Sequence, residues 1–330
     1  MLLPRHATDR VRDLLGAFRI VVLGGARQTG KTTLVRDLLG FSEGASFTFD
    51  DPGVVARAKD DPVGFVAGLP RPAVIDEYQR AGSPFLFAVK QAADRERRRG
   101  QILLTGSTSY LADRSVAETL AGRVGRISLW PLSLGERLGA RETFLEAAFE
   151  GSWSPGRFPV LEREELIAAV LQGGYPEVVT ERLSRRHRQQ WFDAYVGDVV
   201  SREALRPLAE VRLENELRAV LRLLAARTAQ ELVIADLARD AGLSRETTAN
   251  YVTLLEALHL VCVVPAWATS ATTRVKRHAK VFVVDTGLAA DLVGAGESEF
   301  GPRADGRQAG ALFENLVAAE LLKQASWSDI

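Results

Sequence analysis

Cysteine is almost missing from these 330 residues: Cys262 stands alone, so no intrachain disulfide can form and packing must hold the fold. It sits in the apolar run Leu258 to Val264, where a small buried hydrophobe is the expected role, and such a chain suits a reducing, cytoplasmic setting. Long apolar runs are missing as well. The N-terminus offers only Leu2 and Leu3 before charge begins, against the ~7 to 15 apolar residues of a signal peptide. The stretch from Leu260 to Ala268 is interrupted by Pro265 and falls well short of the ~20 residues of a membrane helix, so no membrane partner is expected. Net charge is absent too: forty-two basic side chains cancel forty-two acidic ones, which leaves only local patches to attract nucleic acid. Lysine is scarce within that set, at Lys31, Lys59, Lys90, Lys276, Lys280 and Lys323. What is present is ordinary for globular chains: 46% apolar and 25% charged residues exclude disordered, collagenous and coiled-coil classes. The length suggests two or three units.

Lys31 lies in RIVVLGGARQTGKTTLVRDLLG, residues 19 to 40, where an apolar run stops at Gly24-Gly25 and helical periodicity resumes after Gly30. Gly25, Ala26, Arg27, Gln28, Thr29, Gly30, Lys31 and Thr32, followed by Thr33, match the pattern G-x-x-x-x-G-K-[ST] between a strand and a helix. The chemistry explains the residue types. Glycines let successive amides turn inward toward an anion, and the helix start adds its positive end. Lys31 is expected to reach the β- and γ-phosphates of a nucleoside triphosphate, and the Thr32 hydroxyl to ligate Mg²⁺.

A second apolar run, Ala73 to Ile75, ends in Asp76 and Glu77. At the C-terminal end of a parallel strand Asp76 would lie beside the phosphate loop and hold Mg²⁺ through its water shell, while Glu77 would polarise the attacking water. A third, Gln101 to Leu104, ends in Thr105-Gly106-Ser107 after a helix expected over Pro84 to Arg99 with Ser83 as cap. Thr105 or Ser107 would bond the γ-phosphate or the water; Ser107 serves equally well as a helix cap. Arg123 and Arg126 follow as candidates for an arginine that stabilises charge on the transferred phosphoryl group, from this chain or a neighbouring subunit. The cluster Arg95, Arg97, Arg98 and Arg99 reads as the solvated end of its helix.

Strand signals at Ile20 to Leu23, Ser46 to Phe49, Ala73 to Ile75, Gln101 to Leu104 and Arg126 to Leu129 alternate with helices. They predict an α/β, three-layer P-loop NTPase domain of the ASCE/AAA-like kind over residues 1–140. The strand at Ser46 is read as the extra strand between the loop and the acidic strand. A linker near Gly151 to Pro159 lies within a helical region, 141–228, with helices over Glu162 to Gln172 and from Arg185 past Arg202. Residues 229–290 predict a winged helix-turn-helix: helices Ile234 to Arg239 and Ser244 to Leu258 joined at Ala241 to Ser244, with Ala238 and Gly242 allowing close approach. Apolar runs at Val261 to Val264 and Val281 to Val284 flank a basic tip of Arg274, Lys276, Arg277, His278 and Lys280 that could grip phosphates. DNA is therefore one candidate partner. Against it, the second helix carries Arg245 opposed by Glu246 and Glu256, and residues 151–330 hold 21 basic against 24 acidic groups, which favours packing or oligomer formation. Asp285 reads as a strand-end cap.

These residues resemble a family of prokaryotic AAA-type ATP-binding proteins of mostly unassigned function. The resemblance rests on Gly25 to Thr33, Ile75-Asp76-Glu77, Leu104 to Ser107, Gly122-Arg123, Pro131-Leu132-Ser133 with Glu136, Gly173-Gly174-Tyr175-Pro176 and Lys280 to Leu288. It implies ATP as the nucleotide with Mg²⁺, and an ATPase whose nucleotide state governs its C-terminal region; a weakly hydrolysing nucleotide-gated regulator is the alternative. It also implies a region similar to restriction-endonuclease folds, starting near Phe313-Glu314-Asn315 in residues 291–330; the later Asp and Glu-x-Lys elements of such a nuclease are absent, so either that domain is truncated or it never formed a nuclease, and no nuclease activity is claimed.

Overall fold

Five short strands, of which the three central ones are mostly apolar, pair into one parallel sheet. The computed structural model describes residues 2–107, 120, 122–152, 160–200, 211–270 and 277–328. Its strands are Ile20–Gly24 (β1), Ser46–Thr48 (β2), Ala73–Asp76 (β3), Ile102–Thr105 (β4) and Val124–Ser128 (β5), in the order β2-β3-β4-β1-β5. Successive side chains of a strand point to opposite faces. Ile20, Val22, Ala73, Ile75, Ile102 and Leu104 face one side, where Phe85, Leu86 and Val89 of helix Ser83–Arg95 cover them. Val21, Leu23, Val74, Leu103 and Ile127 face the other, beneath Val11 and Leu14 of helix Ala7–Ala17 and Leu34 and Val35 after the loop. Both faces are covered, which is why the central strands read as unbroken apolar runs rather than alternating ones. Burying each such side chain contributes roughly 1.5–3 kcal/mol.

Two expectations are corrected here. The strand inserted between the loop strand and the acidic strand is β4, since β1 pairs with β4 and β4 with β3; β2, the strand at Ser46, pairs with β3 and, among the described residues, lies at the sheet edge. Sequence order does not set neighbour order when every connection is a crossover. The helix expected over Pro84 to Arg99 ends at Arg95 and is capped at Gly82 rather than Ser83. The Gln101 amide donates to the carbonyls of Glu96 and Arg98 and draws that segment out of the helix, so Arg97 to Arg99 are not helical.

The chain divides into two compact units, one built on residues 4–130 and one on residues 131–325. The second is mainly helical and has its own core, with Val170, Tyr175, Phe192, Leu217, Leu221, Leu255, Val283 and Leu288 among its buried side chains. Its helices include Leu134–Leu138, Arg163–Gln172, Arg185–Val199, Val211–Ala226, Ile234–Ala241 and Arg245–Ala257. Val261–Val264 pairs antiparallel with Lys280–Val283. Gly242 ends helix Ile234–Ala241 with φ +67, and a Cβ there would meet nothing within 4 Å. The glycine is thus required by the left-handed backbone of the cap, not by close approach of two helices. Residues 307–327, where the start of a nuclease-like fold is expected, are a single helix, Arg307–Trp327. Arg202, Arg274, Lys276 and most of the linker, residues 153–159, lie outside the described residues.

Candidate functional site

Residues 20–23 are fully buried, so β1 delivers Gly24 to a fixed point at the C-terminal edge of the sheet. There the Leu129 amide donates to the Gly24 carbonyl at 2.7 Å. Gly25 follows with φ +146, and a Cβ on it would stand 2.3 Å from the Leu129 carbonyl oxygen, so no other residue fits without backbone movement. Gln28 and Gly30 are also left-handed, at φ 60 and φ 89. Such sign changes turn successive amides to one side, the geometry of an anion cradle.

The cradle is braced from within and without. The Thr29 hydroxyl donates to the Ala26 carbonyl at 2.9 Å, and the Lys31 ammonium donates to the carbonyls of Gly25 and Ala26 at 2.8 Å each. Lys31 is only 7% exposed, so its charge is held inside the loop. The Arg5 guanidinium donates to the Thr29 carbonyl and to the Trp130 carbonyl, both at 2.6 Å, tying the loop to the segment after β5. Arg27 is half-buried, and Gln28, Thr32 and Thr33 are exposed. A helical turn opens at Lys31–Thr33 and continues as a π-helical segment, Leu34–Leu38.

Register brings the acids to the same edge. Thr105 lies opposite Leu23 on one side and Asp76 on the other. Its hydroxyl donates to Asp76 Oδ1, and the Thr32 hydroxyl lies 3.5 Å from Asp76 Oδ2. One carboxylate is therefore shared between the helix that follows the loop and the strand inserted beside it. Glu77 takes a left-handed backbone, φ 54 and ψ 41, a conformation costing roughly 1–2 kcal/mol for a residue with a Cβ. The kink sends its side chain away from that of Asp76. Glu77 is 9% exposed, and its Oε2 accepts hydrogen bonds from Gln79 Nε2 and from the Ser107 hydroxyl, the latter at 3.1 Å. Each acid is thus matched by its own hydroxyl from β4 or the residues just after it.

Arg123 is not brought to this edge. It immediately precedes β5, whose first residue pairs with Ile20, the first residue of β1, so Arg123 stands at the N-terminal end of the sheet. Parallel strands separate their two ends by their full length, and a role for Arg123 at this chain's own loop is excluded on that ground. Its guanidinium pairs with Asp94 at 2.5 Å, and that hydrogen bond holds the Asp94 carboxyl below the usual range and raises the arginine. Arg126 lies opposite Val22 within the sheet. At the hairpin, Arg277 and His278 are exposed and Lys280 pairs with Glu314 at 2.5 Å. Sequence reasoning missed Arg5 and Gln79. Arg5 carries no periodic signal, and Gln79 sits two residues past the acids in a short 3-10 turn that no pattern announces.

Residues 17–138 match the AAA domain family, and residues 163–299 match a domain of unknown function, DUF8612. An uncharacterised protein of Mycobacterium tuberculosis is 28% identical over 318 residues, 95% of this chain and 66% of that protein. An uncharacterised protein of Methanocaldococcus jannaschii is 26% identical over 233 residues, covering 68% and 47% of the two chains. This chain spans just under two thirds of the mycobacterial relative and about half of the archaeal one. Among solved structures, a Walker-type ATPase of Pyrococcus abyssi superposes over 88% of this chain and 96% of its own, with TM-score 0.56 and 17% identity. Residues 17–138 thus carry the α/β fold of P-loop NTPases and are similar to AAA-type ATPase domains.

Proposed function

We propose that this chain binds ATP with Mg²⁺ at residues Gly25 to Thr33 and hydrolyses it. The observation that carries this reading is the chain of contacts from Thr32 to Asp76 to Thr105 at the mouth of the loop, with Glu77 next in sequence. A hydroxyl and a carboxylate sharing one contact are a hard-oxygen donor set, which suits Mg²⁺; one or two protein groups suffice because phosphates and water complete the shell. When bound, Mg²⁺ would neutralise charge on the β- and γ-phosphates. The loop amides and the start of the helix hold the phosphates. Lys31 exchanges the carbonyls of Gly25 and Ala26 for phosphate oxygens, and Arg5 keeps the loop from opening as it does so. Thr105 orients Asp76, and Glu77 accepts the proton of the attacking water.

Phosphate release by the purified chain tests this. Glu77→Gln is expected to retain nucleotide and lose roughly 10²- to 10⁴-fold in turnover, the usual worth of a general base, whereas Lys31→Ala loses nucleotide affinity. Equal turnover in the parent and Glu77→Gln would remove Glu77 from its role.

A second reading concerns the region beyond the ATPase fold. Helices Ile234–Ala241 and Arg245–Ala257, the latter capped by Ser244, followed by an antiparallel strand pair, support a winged helix, and we propose that its state follows the nucleotide. Arg245 and Asn250 are exposed on the second helix, but so is Glu246, and the acidic excess of the region favours a protein or self-association role over DNA. Duplex DNA added to the same assay separates the two. A salt-dependent change in rate supports DNA, and indifference at every salt concentration excludes it.

A further inference from the structure

We propose that Gln79 is a positioning residue that fixes the Glu77 carboxylate for proton transfer, a proposal that rests on reading Glu77 as the base. Glu77 follows the last residue of β3 with a left-handed kink, so the alternation of the strand does not set its side-chain direction. What holds it is a pair of donors from two different elements. Gln79 Nε2, on the 3-10 turn Tyr78–Ala81, donates to Glu77 Oε2 at 2.5 Å, and the Ser107 hydroxyl, just beyond β4, donates to the same oxygen at 3.1 Å. Gln79 Nε2 also lies 3.4 Å from the Ser107 hydroxyl oxygen, which closes a triangle. With Oε2 engaged twice, Oε1 is the oxygen left to accept a proton from water, and the plane of the carboxylate is set.

Three further observations show that the arrangement is built. Tyr78 and Ala81, on either side of Gln79, are 2% and 4% exposed and belong to the core beneath the sheet, so the short turn cannot swing freely. Gly106 leaves the space that the amide fills: a Cβ there would stand 2.6 Å from Gln79 Oε1. Gln79 Oε1 is itself buried with no hydrogen-bond partner among the described residues. The amide therefore satisfies the carboxylate at the expense of its own carbonyl, an arrangement that packing alone does not favour.

The test compares full-length parent, Gln79→Met and Gln79→Glu in steady-state phosphate release with Mg-ATP, together with Mg-ATP affinity by calorimetry and the melting temperature. Methionine keeps length and volume without a donor; glutamate keeps shape and opposes Glu77 with like charge. Both are expected to lose roughly ten- to a hundredfold in kcat, the worth of one hydrogen bond to a charged group, with KM and affinity within about twofold of the parent. In a Glu77→Gln background, Gln79→Met should cost nothing more, because its effect passes through Glu77. Parental kcat in both single variants, a rise in KM at constant kcat, or an equal further loss in the Glu77→Gln background would each overturn the proposal while leaving Glu77 as base. Turnover that is absent in the parent, or that Glu77→Gln leaves intact, defeats the reading of Glu77 and the proposal together.

Discussion

Three side chains show how single residues take their properties from position. Lys31 would be free and solvated on most surfaces, yet two loop carbonyls at 2.8 Å fix it before any phosphate is considered. Such pre-alignment reduces the ordering cost of binding. Asp94 shows the converse: its hydrogen bond with Arg123 engages an arginine that sequence reading had set aside for catalysis. Cys262 is half-buried, and burial together with the nearby Glu256 charge pushes its thiol up to about 11. A raised thiol means less thiolate at every pH below that value. At pH 8 the thiolate fraction should therefore be about a hundredfold below that of a free cysteine of ordinary acidity. Alkylation by a thiol reagent at pH 8, followed over time in native and urea-unfolded protein, should show a difference of that order. Equal rates would show that the thiol is not shielded.

At the scale of elements, the two halves of a motif separated by more than a hundred residues meet in one joint. Asp285 begins helix Thr286–Leu292: Oδ1 accepts from the Leu288 amide at 3.0 Å and Oδ2 from the Gly174 amide at 2.6 Å. The carboxylate is 1% exposed and fills the space beside Gly173, where a Cβ would lie 2.1 Å from Oδ1. A Cβ on Gly287 would likewise stand 2.5 Å from the Gln172 carbonyl oxygen. The Gly173-Gly174 and Asp285-Thr286-Gly287 sequences are therefore glycine-rich because two backbones and a carboxylate crowd together, and Asp285 is a cap, as its place after the strand predicts. Asp285→Ala removes two hydrogen bonds to a charged acceptor and leaves the Gly174 amide buried. It should destabilise the helical unit by about 2–4 kcal/mol, read from the urea midpoint. An unchanged midpoint would mean that the joint does not depend on the carboxylate.

At the scale of the whole chain, apolar packing falls into separate clusters: two line the faces of the five-stranded sheet and one fills the helical unit. The finer division we propose keeps residues 1–140 as the nucleotide domain and divides the remainder near residues 228 and 290. Among the described residues no helix is long and apolar enough to cross a membrane. If the loop binds Mg-ATP, ligand should stabilise the sheet unit through mass action, by about 2.7 kcal/mol at a hundredfold excess over the dissociation constant. Calorimetry should then show two unfolding transitions, of which only the one from residues 4–130 rises with Mg-ATP, and Lys31→Ala should abolish that rise. A single transition moving as a whole would show that the clusters unfold together.

The sequence alone determined the α/β class, the strand segments and the glycine-rich turn with its lysine, because these depend on local periodicity and backbone freedom. It also placed Asp76, Glu77 and Thr105 at one edge, since parallel strands carry their C-terminal residues to a common end. Only the tertiary structure decided that β4 lies between β1 and β3, that Thr105 serves Asp76 while Ser107 and Gln79 serve Glu77, and that Arg123 stands at the far end. Strand order and converging donors arise from long-range pairing. No short window of sequence contains both partners of the Thr105–Asp76 or Ser107–Glu77 contact; Gln79 is two residues from Glu77, but only the 3-10 turn aims its amide back at the carboxylate.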